Sequence, residues 1–405
     1  MMVQDIFFDL LKVAIGNLKQ LSCNPNDEEW IGVYDLCKKH TLLGIGYAGI
    51  QTLPKEQWPP KALVLKWFAN AAKIVNKNSQ MNILCKQICE KIEKDGFKIM
   101  VIKGQGNIPN YSAMNSESIG DFESLGMLRT PGDIDAWLIP IDSKEDYRGN
   151  VQTRRNRKEI IVNYSIAEAK KTNESDDLTI RYHHVDMPVS NGCEIEAHFM
   201  PMYFNNPFLD KRLQRFFEKY GNVVVEKVDS TIAIPLPSVS FNVIYQLTHI
   251  YKHVFEEGVG LRQLLDYYMV INRWHRDCMT SQSENVLTKE KIDYYLNYLG
   301  LRRLAGAVMY VLQEVFALPD EMLLCQPEPV AGASLLDYIL VSGNFGKYDP
   351  KKLRLVNESS LHKFFRKTNH NLSLVRFYPN EAICEPFFRV YHWMWRRFEW
   401  WRWER

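Results

Sequence analysis

The run Arg129-Thr130-Pro131-Gly132-Asp133-Ile134-Asp135-Ala136-Trp137-Leu138-Ile139 decides how this chain is read. A Pro-Gly turn opens it, and an apolar, β-prone segment ended by Pro140 follows, which predicts a turn leading into a strand. Asp133 and Asp135 are two apart, so on a strand both carboxylates leave the same face. Two clustered anions repel and cost free energy unless a cation occupies the space between them. Hard oxygen donors suit magnesium, with manganese as the other candidate ion. Alone, Asp-x-Asp is a weak pattern, because such pairs also occur on solvated strand ends.

The flanking segments strengthen it. Upstream, Asp95-Gly96 is a turn pair, Phe97 to Ile102 is a β-rich run, and Lys103-Gly104-Gln105-Gly106 follows at once. Gly104 lets backbone N–H groups approach an anion, a helix start beyond it favours phosphate, and Lys103 adds a point charge. The alternative is a plain strand-to-helix turn with a solvated lysine. No Walker pattern is present. Downstream, Leu178 to Val189 and Cys193 to Met200 read as two strands around Ser190-Asn191-Gly192, a predicted hairpin. Glu194, Glu196 and His198 alternate onto one face of the second strand. Glu196 is the candidate third carboxylate beside Asp133 and Asp135; the alternative is the wet face of an antiparallel hairpin. Arg129 either orients a triphosphate or neutralises the carboxylates. His183 and His184 are adjacent, so one faces each side of the strand and at most one reaches the site.

Around this centre the pattern is helical. Phe7, Leu10, Leu11 and Ala14 recur at helical spacing, as do Trp30, Val33, Tyr34 and Cys37, and Pro59-Pro60 opens a long helix running toward Ile92. Lys144 to Asp177 is charged and helical with loose ends. Pro235 and Pro237 mark a boundary. Beyond them helices are expected over Val239 to Glu256, Leu261 to Trp274, Lys289 to Tyr298 and Leu301 to Phe316. His249 and His253, four apart, could share a ligand, although packing or hydrogen bonding is the plainer reading. Arg262 and Asp266 are expected to pair. The reading is an α+β protein in three parts: a helical region over 1–95, a catalytic mixed-sheet domain over 96–236, and a helical region over 237–405 that forms one wall of a substrate cleft.

Composition sets the bounds. The chain has 405 residues, 46% hydrophobic and 24% charged, an ordinary globular balance. A net charge of +2 gives no global field toward nucleic acid. Eight cysteines without a Cys-x-x-Cys pair argue against a zinc framework and for reduced thiols in a cytoplasmic protein. No apolar run is long enough to cross a bilayer. The terminal run 387–405 is dense in Trp and Arg. Pro386 is a candidate helix start, and Trp393, Trp400 and Trp403 fall on one helical face. That face is expected to dock on the helical region; a membrane surface, a partner or single-stranded nucleic acid are the alternatives.

With Val101-Ile102-Lys103-Gly104, Arg129-x-x-Gly132-Asp133-x-Asp135, Glu196-x-His198 and a tail holding His249, His253 and Gly260 to Asp266, the chain resembles a bacterial family of nucleotidyltransferases in the DNA polymerase beta superfamily. The resemblance covers roughly residues 97 to 270. It implies a mixed-sheet fold, a nucleoside triphosphate donor such as ATP, magnesium dependence, and a hydroxyl acceptor that the sequence does not name. Asp133, Asp135 and Glu196 fall on its catalytic metal positions, Lys103, Gly104 and Arg129 on its nucleotide-binding positions, and His198, His249, His253 and Arg262 toward the substrate cleft. The wider superfamily has Gly-Ser after its first strand, whereas this chain has Gly104-Gln105. Two rival classes remain: an Asp-x-Asp glycosyltransferase, and a binding module without turnover.

Overall fold

The computed structural model describes residues 2–113, 124–141, 151–172, 178–190, 193–256, 258–280, 286–348 and 360–403. The chain divides into two compact units, each assembled from separated segments. One holds Met1–Gln80, Asn107–Pro131 and Gln246–Lys367; the other holds Met81–Gly106, Gly132–Tyr245 and Thr368–Arg405.

The first unit is helical. Helix α1 (Val3–Ala14) buries Ile6, Phe7, Leu10, Leu11 and Val13, the stripe its spacing predicts. Helix α2 (Asp27–Lys39) opens on a reciprocal cap: Glu29 N–H donates to Asn26 Oδ1 at 2.9 Å, and Asn26 N–H donates back to Glu29 Oε2 at 2.8 Å. Helix α3 (Leu43–Thr52) packs on α1 at Gly49, where an added Cβ would lie 2.7 Å from the Leu10 carbonyl oxygen. The long helix α4 (Lys61–Lys94) follows Pro59-Pro60 as expected and belongs to this unit as far as Gln80, to the other from Met81.

The second unit carries the sheet. Strands β1 (Phe97–Val101) and β2 (Ile134–Pro140), helix α5 (Val151–Thr172), and strands β3 (Thr179–Ile180), β4 (His184–Ser190) and β5 (Cys193–His198) build a five-stranded sheet in the order β1-β2-β5-β4-β3. The β2–β5 pair is parallel and its neighbours are antiparallel, so the sheet is mixed. Helix α5 packs on β2 and β4. This is the α+β, helix-flanked mixed sheet expected from the sequence.

Several local expectations change. Leu178 to Val189 is not one strand. It breaks at residues 181–183 into β3 and β4, which fold back on each other with Thr179 opposite Asp186. The break frees Tyr182 to pack against Tyr203 (4.6 Å between ring centres) and Phe388 (5.1 Å). Helix α6 (Pro207–Tyr220) follows, capped by Asn206. Pro235 and Pro237 lie within β7 (Ala233–Pro237), which pairs with β6 (Val223–Lys227). A two-stranded ribbon tolerates them because each strand keeps one unpaired edge. Helices α7 (Val239–Phe255), α8 (Leu261–Met279), α9 (Lys289–Tyr298) and α10 (Arg302–Phe316) match the predicted tail, joined by α11 (Pro329–Ser342) and α12 (Ser360–Leu374).

The last helix, α13 (Pro379–Trp403), begins seven residues before the expected start and holds Pro386 inside it. Its packed face is not the Trp393 face. Phe388, His392 and Trp395 lie against Tyr182, while Trp393 is 51% exposed. Lys158 of α5 meets Glu399 at 2.6 Å and sits over the Trp395 ring. The helix docks on this chain, but on the sheet-bearing unit; the side chains of Trp400 and Trp403 lie outside the described residues. Glu381, almost fully buried, accepts the backbone N–H of Asn205 and that of Asn206, the latter at 3.2 Å.

All eight cysteines are free thiols. Among the described residues no helix is long and apolar enough to cross a membrane.

Candidate active site

The parallel register between β2 and β5 builds the centre of the site. Asp135 lies opposite Glu196, and Trp137 opposite His198. Cross-strand partners share a sheet face, so Asp135, Glu196 and His198 converge although some 60 residues separate them in sequence. His198 Nε2 stands 3.2 Å from Asp135 Oδ1 and 3.1 Å from Glu196 Oε2. Lys103, just beyond β1, places its Nζ 2.5 Å from Asp135 Oδ1 and 3.9 Å from Glu196 Oε2.

Gly104 makes that lysine position possible. Its φ is +60°, and a Cβ there would stand 2.6 Å from the Asp133 carbonyl oxygen. Only glycine accepts both the left-handed backbone and the close approach. The following segment, Gly104–Ala113, is a 3-10 helix rather than an α-helix. Gln105 does not take the place of a phosphate-binding hydroxyl. It is buried and donates to Asn82 Oδ1 at 2.6 Å, and Asn82 donates to Asp229 Oδ2 at 2.9 Å.

The charges in the cluster shape one another. Burial alone would lower the Lys103 pKa, but the Asp135 and Glu196 carboxylates beside it push it well up. Burial would raise the Glu196 carboxyl; Lys103 and the hydrogen bond from His198 instead hold it far below the usual carboxylate range. Burial works to lower His198 as well, and its bonds to Asp135 and Glu196 overcome that and raise it. Asp133 differs. It precedes β2 rather than lying on it, and its side chain is exposed. Burial of part of the group raises its pKa, and the charges of Asp135, Glu194 and Glu196 push the same way.

The histidine expectation is overturned. His183 sits in the bend before β4, so strand alternation does not apply to it. Both His183 and His184 approach His198, with ring centres 5.1 and 4.8 Å away. His184 Nε2 is 2.8 Å from Asp186 Oδ1. Burial lowers the His184 pKa despite that carboxylate.

Asp135, Glu196 and His198 offer one ligand atom each within 4.8 Å of one another, as do His184, Asp186 and Glu196. Two carboxylates and an imidazole are a donor set that fits a divalent cation. Asp133 belongs to neither group, though its charge is felt there.

The remaining predicted residues belong to the other unit. Arg129 meets Asp266 in a two-pronged pair, Nε to Oδ1 at 2.7 Å and Nη2 to Oδ2 at 2.8 Å, and Tyr111 adds its hydroxyl to Oδ1 at 2.8 Å. Asp266 is thus the anchor of Arg129. Arg262 donates to the Thr130 carbonyl at 3.1 Å. His249 and His253 do meet, Nε2 to Nε2 at 2.9 Å. The residue that sequence reasoning missed is Asp186. Its signal was the His-x-Asp spacing of 184–186, mirrored by Glu-x-His at 196–198. Counting back from the Ser190–Cys193 pair sets Asp186 opposite Ala197; an irregularity between Met187 and Ser190 shifts the register and sets it opposite Glu196.

This mixed sheet, with its acids gathered at neighbouring strands, is consistent with the α+β fold of nucleotidyltransferases. The chain belongs to one such family: the signature of a family described as uncharacterised nucleotidyltransferase matches residues 26–317. No curated protein and no solved structure matches the chain.

Proposed function

We propose that the chain transfers a nucleoside monophosphate from a nucleoside triphosphate to a hydroxyl acceptor, releasing pyrophosphate, in the manner of the polymerase beta superfamily. The observation that carries this is the β2–β5 register, which sets Glu196 beside Asp135 with Lys103 and His198 against both. Asp135, Glu196 and His198 would hold a magnesium or manganese ion, and Asp133 stands near enough to add charge. Such an ion supplies positive charge for the triphosphate and acidifies an attacking hydroxyl. The protein's own part is positioning. Gly104 brings the backbone of the Lys-Gly turn against Asp133, and Lys103 can leave Asp135 for a phosphate oxygen once another cation takes its place. Without the ion, His198 Nε2 holds both carboxylates and fixes their direction; with it, the same nitrogen would turn from them to the ion.

The test is pyrophosphate release from each of the four ribonucleoside triphosphates with magnesium or manganese, over a panel of sugar, small-alcohol, protein and RNA acceptors. Asp135→Asn and Glu196→Gln should each lower the rate about a hundredfold or more. Release of a nucleoside diphosphate from a nucleotide sugar instead would place the chain among glycosyltransferases.

A further inference from the structure

Two short motifs run in opposite directions on neighbouring strands. His184-Val185-Asp186 on β4 pairs with Glu196-Ala197-His198 on β5 so that His184 faces His198 and Asp186 faces Glu196. All four side chains therefore share one face of the sheet, in a square with an imidazole edge and an acid edge. His184 Nε2 lies 2.8 Å from Asp186 Oδ1 and 3.8 Å from Glu196 Oε2, and the three donor atoms lie within 4.8 Å of one another.

The groups behind these donors are also in place. Asp186 accepts at its other oxygen, Oδ2, from Arg181 Nε–H at 2.7 Å. His184 Nδ1 is 3.2 Å from His183 Nε2. In the tautomer that donates Nδ1–H to His183, His184 Nε2 would be available to a cation in place of its present contact with Asp186 Oδ1. Metal-binding histidines are characteristically held this way, by a hydrogen bond at the far ring nitrogen that fixes tautomer and orientation.

We propose that His184, Asp186 and Glu196 form a second divalent-cation position, adjacent to the one assigned to Asp135, Glu196 and His198 and sharing Glu196 with it. An imidazole beside two carboxylates favours a borderline transition ion such as Mn2+ or Zn2+ over Mg2+. The proposal rests on the nucleotidyltransferase reading only through the shared Glu196, and it concerns metal binding whatever the site turns over.

The experiment is metal stoichiometry on the full chain. Metal-stripped protein is dialysed against Mn2+ and the bound ion counted by elemental analysis, for wild type, His184→Ala, Asp186→Asn and Asp135→Asn, each checked for folding by circular dichroism. Wild type should hold two equivalents, and each of His184→Ala and Asp186→Asn one. Wild type holding one or none, or two equivalents persisting in the folded His184 and Asp186 variants, overturns the proposal. Asp135→Asn retaining both ions would sink the first position and leave this one standing. A measurement on unaltered protein guards against variants that fail to fold: a Co2+ titration followed in the visible spectrum should run to two equivalents, and an end point at one overturns the second position.

Discussion

Lys103 Nζ lies 2.5 Å from Asp135 Oδ1, so the lysine expected to meet a phosphate holds the carboxylate expected to meet a metal. The two roles are linked. A cation at Asp135 and the Lys103 ammonium compete for one oxygen, and whichever leaves must find other negative charge. Under the proposed reaction, a triphosphate arriving with its metal would supply that charge, and Lys103 would act as a latch between the metal-free and the loaded site.

Removing the latch should have opposite effects with and without metal. Lys103→Met strands Asp135 and Glu196 without their ammonium partner. Breaking a largely buried ion pair from one side should lower metal-free stability on the order of 3 kcal/mol. Manganese, binding only the folded chain, should recover most of that loss. Urea denaturation in chelator and in manganese measures both. A variant as stable as wild type in chelator would show that the pair contributes nothing.

A second prediction concerns acid. His40 follows α2, is fully buried and stacks on Phe7, and neither ring nitrogen has a hydrogen-bond partner among the described residues. Burial, with the Lys39 charge beside it, pushes its pKa from 6.5 down to about 3. The unfolded chain then binds a proton that the folded chain refuses, so stability is lost as pH falls from 6.5 toward 3. At pH 5 this one group should cost on the order of 2 kcal/mol. His40→Phe removes it, so the pH dependence of its unfolding free energy should be flatter by that amount between pH 7 and 5. Parallel curves for the two proteins would refute the assignment.

A third prediction separates two tryptophans of α13. Trp395 packs on Tyr182 with ring centres 5.3 Å apart and carries Lys158 over its face. Trp393 is 51% exposed, with Arg397 over its ring. Trp395→Ala should cost on the order of 2 kcal/mol or more, and Trp393→Ala about 0.5 kcal/mol or less. Equal midpoints in urea would mean that the helix does not dock through Trp395.

The mixed sheet was legible because its strands are short runs bounded by Gly and Pro; Lys103 and Asp135 sit at the ends of two of them, and Glu196 was found by alternation within a third. What was not legible depends on irregularity. The bend at 181–183 cancels the alternation that would send His183 away from His184. The register shift before Ser190 moves Asp186 by one partner, and no propensity foretells a bulge. Asp133 was placed on a strand that begins one residue later, which is the ordinary uncertainty of an element boundary. The Arg129–Asp266 pair joins residues 137 apart, a distance over which spacing carries no information.

Glu381 has one further consequence, for the chain while it is being made. Its carboxylate closes the Asn205 and Asn206 amides across about 175 residues. On the ribosome, synthesis runs at roughly 5–20 residues per second. The sheet and its acids therefore emerge about ten seconds or more before the helix that covers Tyr182 and caps this turn. Through that interval the nascent sheet-bearing unit shows an aromatic surface and two unpaired amides to whatever is nearby. A chain released early, short of residue 381, keeps its cluster of acids and histidines and lacks the cover, which makes it a client for a chaperone or a protease.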